Sequence, residues 1–292
     1  MQVTVAKTAG FCFGVRRALE LTQKSAALSP TCTLGELIHN RQVVEELAGQ
    51  GVTVIERPED APAGTAVVIR SHGVGPQVYD TLRAQGSPVI DATCPFVKRI
   101  HQIAAEVPEN GLLLLAGRRE HPEVQGILGY CRGQALVFSS AEEMQELLAF
   151  LPSDGNIPVI LAAQTTFSLR EWEKILFFAK KVCTNLKVFD TICRATIERQ
   201  SEAKQLAQSA DAIVVVGGLH SANTTALAAL CGSYCPTVQV ETADQLERHR
   251  EALRGARFIG ITAGASTPAC IIKEVQNSMS VLENNTEEMN FG

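Results

Sequence analysis

The sequence predicts an α/β protein built from three similar units. Two observations predict it. Short Val- and Ile-rich runs alternate with amphipathic stretches from end to end, the rhythm of βαβ units and parallel sheets, and three cysteines at strand ends divide the 292 residues into near-thirds. Cys12 to Cys94 spans 82 residues, Cys94 to Cys193 spans 99, and 99 more follow. An internal echo joins two of these points: PVIDATCP at 88–95 and KVFDTICR at 187–194 both run strand, Asp, Thr, Cys and then helix, differing by one residue in spacing. Strand ends gathered in this way place ligands outside the carboxyl edges of the sheets.

In chain order the strands read QVTVA, TLGEL, VTVIE, AVVIRS and PVIDAT, then LLLLAG, ALVFS, PVILAAQ and KVFDTI, then AIVVVG, TVQVE and FIGITAG. Helices are expected over VRRALELTQKSAAL, QVVEELAGQ, FVKRIHQIAAEV, AEEMQELLAFL, REWEKILFFAKKV, ERQSEAKQLAQSA and ADQLERHREALRG, where apolar residues recur at helical spacing. The units are expected over 1–94, 95–193 and 194–282, followed by a polar, acidic tail over 283–292 that frays. No long Pro/Gly/Ser linker separates them.

Composition excludes several classes of function. Apolar residues at 46% and charged residues at 20% are globular values. Twenty-six basic against thirty-one acidic residues give a net charge of -5, so there is no global basic field to hold nucleic acid or an anionic membrane. Fifteen aromatics are too few for a base-stacking platform. Nine cysteines, odd in number and scattered, make a poor disulfide framework. The N-terminal MQVTVAKTAGFC lacks the basic and apolar regions of a signal peptide, and no apolar run reaches membrane-span length. A reducing cytoplasm is expected, with the cysteines as thiols, ligands or catalysts.

Cys12, Cys94 and Cys193 stand out because a thiolate at a strand end faces a crevice and the N-terminus of the next helix. Cys32, Cys131, Cys183 and Cys270 read as small buried apolar residues. The x3 spacing of Cys231 and Cys235, without a second close pair, is a weak zinc signal. Three thiolates suit either a zinc ion completed by water or a four-iron cluster with one open iron. His39, His72 and His121 also lie at strand-to-helix junctions, where imidazole and helix N–H groups suit an anion such as phosphate. His101 and His249 lie within charged helices and read as ordinary polar residues. Ser221, Asn223 and Ser266, in the turns GGLHSANTT and TAGASTP, add neutral donors or act only as helix caps. Glu123, two residues after His121, is the carboxylate most apt to face that crevice, where poor hydration raises its pKa towards general-acid use, although taken alone it reads first as an N-terminal helix acid favoured by the dipole. Neither G-x-G-x-x-G nor a Walker motif occurs.

The fragments GFCFGVRRA, IHNRQVV, SHGV, DATCP, HPEVQG, QTT, DTICRAT, ERQ, SAN and TAGASTP stand in the order and spacing of one family. Over residues 9 to 282 the chain resembles the LytB/IspH family of 4-hydroxy-3-methylbut-2-enyl diphosphate reductases. The resemblance implies three α/β domains in a pseudo-threefold, trefoil-like arrangement around one [4Fe-4S] cluster held by Cys12, Cys94 and Cys193. It implies diphosphate binding by His39, His72, His121, Ser221, Ala222 through its backbone N–H, Asn223 and Ser266, with Glu123 delivering protons assisted by Thr165. The implied reaction is a two-electron reductive dehydroxylation to isopentenyl and dimethylallyl diphosphate, the last step of the methylerythritol phosphate pathway, fed by a reduced ferredoxin or flavodoxin. Ala222 replaces a serine found in many members, His220 an asparagine, and Ala269-Cys270 an acidic residue. The residues by themselves leave two other readings open: a zinc-dependent hydrolase or transferase acting on a diphosphate, and a non-catalytic iron-sulfur sensing module.

Overall fold

The computed structural model describes residues 1–38, 40–149, 157–183, 185–219 and 221–288, with side chains as far as residue 279. The chain opens with β1 (Gln2–Val5) and α1 (Phe13–Ala26), followed by β2 (Thr31–Leu34), α2 (Arg41–Gly49), β3 (Thr53–Ile55), β4 (Ala66–Ile69), α3 (Pro76–Ala84) and β5 (Val89–Asp91). Then come α4 (Pro95–Ala105), β6 (Leu112–Ala116), α5 (Pro122–Leu128), β7 (Gln134–Phe138), α6 (Ala141–Ala149), β8 (Val159–Ala163), α7 (Leu169–Val182) and β9 (Leu186–Val188). The remainder is α8 (Arg194–Ser209), β10 (Ala212–Val216), α9 (Ala222–Gly232), β11 (Thr237–Val240), α10 (Arg250–Leu253), β12 (Phe258–Ala263) and α11 (Ala269–Glu288).

The strands form three four-stranded parallel sheets, ordered β3-β2-β4-β5, β7-β6-β8-β9 and β11-β10-β12-β1. One strand order therefore serves all three α/β domains. The third sheet takes its fourth strand from the start of the chain: β1 pairs with β12, Gln2 opposite Phe258 through Val5 opposite Ile261. The boundary expected at residue 1 of the first unit is shifted accordingly. The chain clusters into two compact units, one of residues 1–15, 39–43 and 194–292 carrying the third sheet, the other of residues 16–38 and 44–193 carrying the first two.

Central strands show why these runs form. All five residues of β6, β8 and β10 are buried, and the strand period of two sends them alternately to opposite faces. In β10, Val214 and Val216 pack with Ile259, Ile261, Val275 and Met279 on one face, while Ile213 and Val215 pack with Ala203, Ala207 and Leu227 on the other. Helices cover both faces of this parallel sheet.

Three expectations are corrected. The strand read as TLGEL lies earlier, over Thr31–Leu34, because Gly35 turns out of the extended conformation at φ 70° and ends it. ADQLERHREALRG is a 3-10 helix over Ala243–His249 followed by the one-turn α10. The start of the segment read as a polar tail is helical, since α11 continues to Glu288. Among the described residues no helix is long and apolar enough to cross a membrane.

Candidate active site

The same exits from each sheet carry the singled-out residues. Cys94, Cys193 and Cys12 follow the fourth strands β5, β9 and β1, and each is tied to the loop after its neighbouring third strand. Cys94 N–H donates to Ser71 O at 3.0 Å, Cys193 N–H to Thr165 O at 3.0 Å and Cys12 N–H to Ala265 O at 3.4 Å. Ser71, Thr165 and Ala265 each lie two residues beyond the end of β4, β8 and β12. One backbone bond therefore sets the cysteine in all three sheets, and the sequence signal for these anchors is only their offset from the strand.

The structure also sorts the remaining thiols. Burial pushes Cys32, Cys131, Cys183 and Cys235 up from the usual thiol range, and Cys231 up to about 12. A thiol held neutral in this way is an inert packing group. Cys12, Cys94 and Cys193 are half-buried, while Cys270 is exposed on the first turn of α11, contrary to its reading as a buried residue. Cys94 caps α4, with Pro95 as the first helical residue, a position where the helix dipole favours negative charge.

Exits from the first strands carry the polar groups. After β6, His121 caps α5 and its Nδ1 accepts the N–H of Glu123 at 3.1 Å. Glu123 is only 2% exposed. Its Oε1 accepts the Thr165 N–H and its Oε2 the Thr165 hydroxyl, both at 2.7 Å. Burial pushes the carboxyl up to about 7, tempered by those two donors, which favour the charged form. Because the Thr165 carbonyl accepts from Cys193, one threonine holds both the carboxyl and the cysteine backbone. The rings of His72 and His121 meet edge-on, with centroids 5.3 Å apart, and Ser71, the anchor of Cys94, immediately precedes His72. His72, His121, Glu123, Thr165, Cys94 and Cys193 all belong to the unit carrying the first two sheets.

The other unit carries Cys12, Ser221, Ala222, Asn223 and Ser266. Ser221 caps α9 and accepts the Thr224 N–H at 3.4 Å, with Ala222 as the first helical residue. Asn223 holds the place in α9 that Glu123 holds in α5, two residues past the cap. It is buried, and its Nδ2 has no hydrogen-bond partner, a donor positioned for a ligand oxygen. Ser266 is buried after β12. His39 and His220 lie outside the described residues. Among the described residues no three His, Cys, Asp or Glu side chains are gathered closely enough to hold a metal ion.

His101, read from the sequence as an ordinary polar residue of a charged helix, is buried in the structure. It is 5% exposed on α4 and stacks on Tyr130, with centroids 4.4 Å apart. Burial pushes its imidazole down to about 4. Its signal was present, since His101 falls within the stripe of Val97, Ile100 and Ala104 at helical spacing.

The LytB protein family model matches residues 3–280. The chain belongs to the LytB family. Among similar proteins, the 4-hydroxy-3-methylbut-2-enyl diphosphate reductase of Caldanaerobacter subterraneus is 40% identical over 297 residues, covering 98% of this chain and 99% of that one. The reductase of the same name from Geobacter sulfurreducens is 41% identical over 288 residues, covering 97% and 99%. The solved E-1-hydroxy-2-methyl-but-2-enyl-4-diphosphate reductase of Plasmodium falciparum superposes with a TM-score of 0.87 at 26% identity, covering 94% of this chain and 87% of that one. A second solved reductase, described as the terminal enzyme of the non-mevalonate pathway, gives a TM-score of 0.67 at 38% identity, covering 96% and 99%. Of the departures noted in this LytB-family chain, Ala222 opens α9 and Ala269-Cys270 opens α11.

Proposed function

We propose that this LytB-family chain reduces 4-hydroxy-3-methylbut-2-enyl diphosphate to isopentenyl and dimethylallyl diphosphate, taking up two electrons and two protons and releasing water. The observation that carries the proposal is the buried carboxyl of Glu123, pinned at both oxygens by Thr165 while Thr165 also anchors Cys193. The near-full-length similarity to named reductases supports the same reading.

The donor set fits an iron-sulfur cluster: three soft thiols, half-buried, set by the same backbone bond in three equivalent sheets. Cys12, Cys94 and Cys193 would hold a [4Fe-4S] cluster, which when bound supplies electrons and an open, Lewis-acidic iron. Glu123 stores the proton. With its pKa raised to about 7, a large fraction of the carboxyl is protonated near neutrality, and the departing oxygen leaves as water rather than hydroxide. The Thr165 hydroxyl, bonded to Oε2, orients Glu123 and is assigned to assist its proton delivery. His39, His72, His121, Ser221, the Ala222 N–H, Asn223 and Ser266 are assigned to the diphosphate, whose anchoring makes the reaction effectively intramolecular. A reduced ferredoxin or flavodoxin is the proposed electron donor, and the cytoplasm the proposed compartment.

The test is an anaerobic assay with the hydroxylated diphosphate and a strong reductant, beside an iron and sulfide count. The proposal expects brown protein holding about four irons and four sulfides per chain and both isoprenoid diphosphates as products. Colourless protein holding one zinc would establish the hydrolase or transferase reading, and a loaded cluster without turnover the sensing-module reading.

A further inference from the structure

We infer that Arg199 and Glu202, on the helix α8, are positioning residues for Cys12, gripping the segment that delivers it from both sides of its peptide dipoles. The inference deepens the proposed function and rests on Cys12 being an iron ligand.

The segment in question is Lys7–Thr8–Ala9–Gly10, between β1 and Cys12. Arg199 is 4% exposed. Its Nε and Nη2 donate to Thr8 O at 3.0 and 2.6 Å, and Nη2 also donates to Gly10 O at 2.6 Å. Glu202, three residues along the same helix face, takes the opposite groups. It accepts the N–H of Lys7 and of Thr8, each at 2.8 Å, and the Thr8 hydroxyl at 2.6 Å. The cation therefore holds the segment's carbonyls and the anion holds its N–H groups, a charge-assisted match that a neutral pair supplies only weakly. Gly10 completes the turn at φ 99°, a conformation that L side chains rarely adopt.

The other two cysteines are approached differently. The segment before Cys94 is held by its own Asp91, whose Oδ1 accepts the Thr93 N–H at 2.9 Å, and by Arg17, which reaches the carbonyls of Thr93 and Asp91 only at 3.4 Å. The segment before Cys193 is held by the Thr191 hydroxyl, bonded to Ala163 N and O at 2.8 and 2.7 Å. Cys12 has the longest of the three anchoring backbone bonds, 3.4 Å against 3.0 Å. The external clamp thus sits where the common anchor is weakest. A guanidinium buried against two backbone carbonyls is costly to desolvate, and packing alone does not call for one. The ERQ motif that contains Arg199 gains a role in this way.

The experiment measures alkylation of each cysteine by mass spectrometry in the cluster-free protein, alongside cluster loss to a chelator and the reduced-cluster electron paramagnetic resonance signal in anaerobically loaded protein. The variants are Arg199→Ala, Arg199→Lys and Glu202→Gln. Arg199→Ala should raise the alkylation rate of Cys12 by at least about ten-fold while Cys94 and Cys193 stay within about two-fold, since a charge-assisted contact restrains local opening by that order. Arg199→Lys, which keeps the charge but not the fork, should give an intermediate rate. The loaded variants should lose cluster faster and show an altered resonance signal. Equal rises at all three cysteines, or none at Cys12, would overturn the inference. If Arg199→Ala also exposes the buried Cys231, the chain has opened as a whole, and Glu202→Gln decides: selective labelling of Cys12 supports the clamp, and uniform labelling overturns it. Failure of the cluster reading is distinguishable, because wild-type protein would then hold no iron and sulfide whatever the labelling pattern.

Discussion

The backbone N–H of Glu123 donates to Nδ1 of His121 at 3.1 Å. Nδ1 thereby satisfies one of the backbone donors that the first turn of α5 would otherwise leave without a partner. His121 thus caps α5 and seats Glu123 through Nδ1, a task separable from the diphosphate contact proposed for its ring.

Asparagine is among the best N-caps, whereas alanine is a poor one. His121→Asn should therefore hold the thermal stability of the wild type within about 0.5 kcal/mol while KM rises on the order of ten-fold through loss of the proposed imidazole contact to the diphosphate. His121→Ala should lose that contact and about 1 kcal/mol of stability besides. Melting curves and steady-state kinetics on both variants check this, and indistinguishable melting temperatures would remove the capping role.

Glu123 connects pH to both turnover and stability. In its proposed role as proton donor it must be protonated, so turnover should fall as pH rises through about 7. For stability the sign follows from the folded pKa standing above the ordinary 4.5. The contribution of the neutral carboxyl is complete below pH 4.5 and is lost as pH rises to about 7, by on the order of 3 kcal/mol across that window. Glu123→Gln keeps the shape, since the Thr165 hydroxyl can rotate to accept from the new amide. It should lose most turnover, retain substrate binding, and show a flatter dependence of unfolding free energy between pH 4 and 8. A variant with wild-type turnover, or one with the wild-type pH slope, would contradict the role given to this carboxyl.

Local signals made much of the candidate site readable from the sequence. Cys12, Cys94 and Cys193 were visible because a strand end followed by a helix start is a short-range pattern, and Glu123 because it follows a junction histidine by two residues. The pairing of β1 with β12 was not visible, since nothing in QVTVA specifies a partner strand some 250 residues away. The grip of Glu123 by Thr165 and the anchoring of Cys94 by Ser71 are likewise non-local contacts. His101 was misjudged for another reason: the charges of its helix outweighed its place in the apolar stripe, and burial rather than exposure followed.

Gly73, the neighbour of His72, has φ 71°, and a Cβ there would stand 2.6 Å from His101 Cε1 and 2.9 Å from Thr93 Cγ2. Neither neighbour can retreat easily, because His101 is stacked on Tyr130 and Thr93 is buried. Gly73→Ala should cost at least about 1 kcal/mol of stability from the backbone alone, and it should raise KM by displacing His72. Gly86→Ala is the matched control: its φ is 70°, but nothing lies within 4 Å of the added carbon. It should show the stability loss without the change in KM. An equal KM for the two variants would mean that Gly73 does not position His72.

Replacement of single cysteines separates the strand-end thiols from the packing thiols. Cys94→Ser leaves the N-cap position of α4 and the backbone bond to Ser71 undisturbed, but a hydroxyl is a poor ligand for iron where a soft thiolate is required. Cys183 ends α7 with a thiol pushed up by burial. It lies at a helix end, outside the strand-end pattern that Cys12, Cys94 and Cys193 share. Cys183→Ser should therefore hold the wild-type iron and sulfide content after anaerobic purification, with only a modest loss of stability. Cys94→Ser should keep its far-ultraviolet circular dichroism yet hold substantially less iron, and should release what remains faster to a chelator. Full iron content in Cys94→Ser, or equal depletion in Cys183→Ser, would mean that the repeated backbone anchor does not mark the ligand positions, because the fold would then be presenting its thiols without regard to strand end.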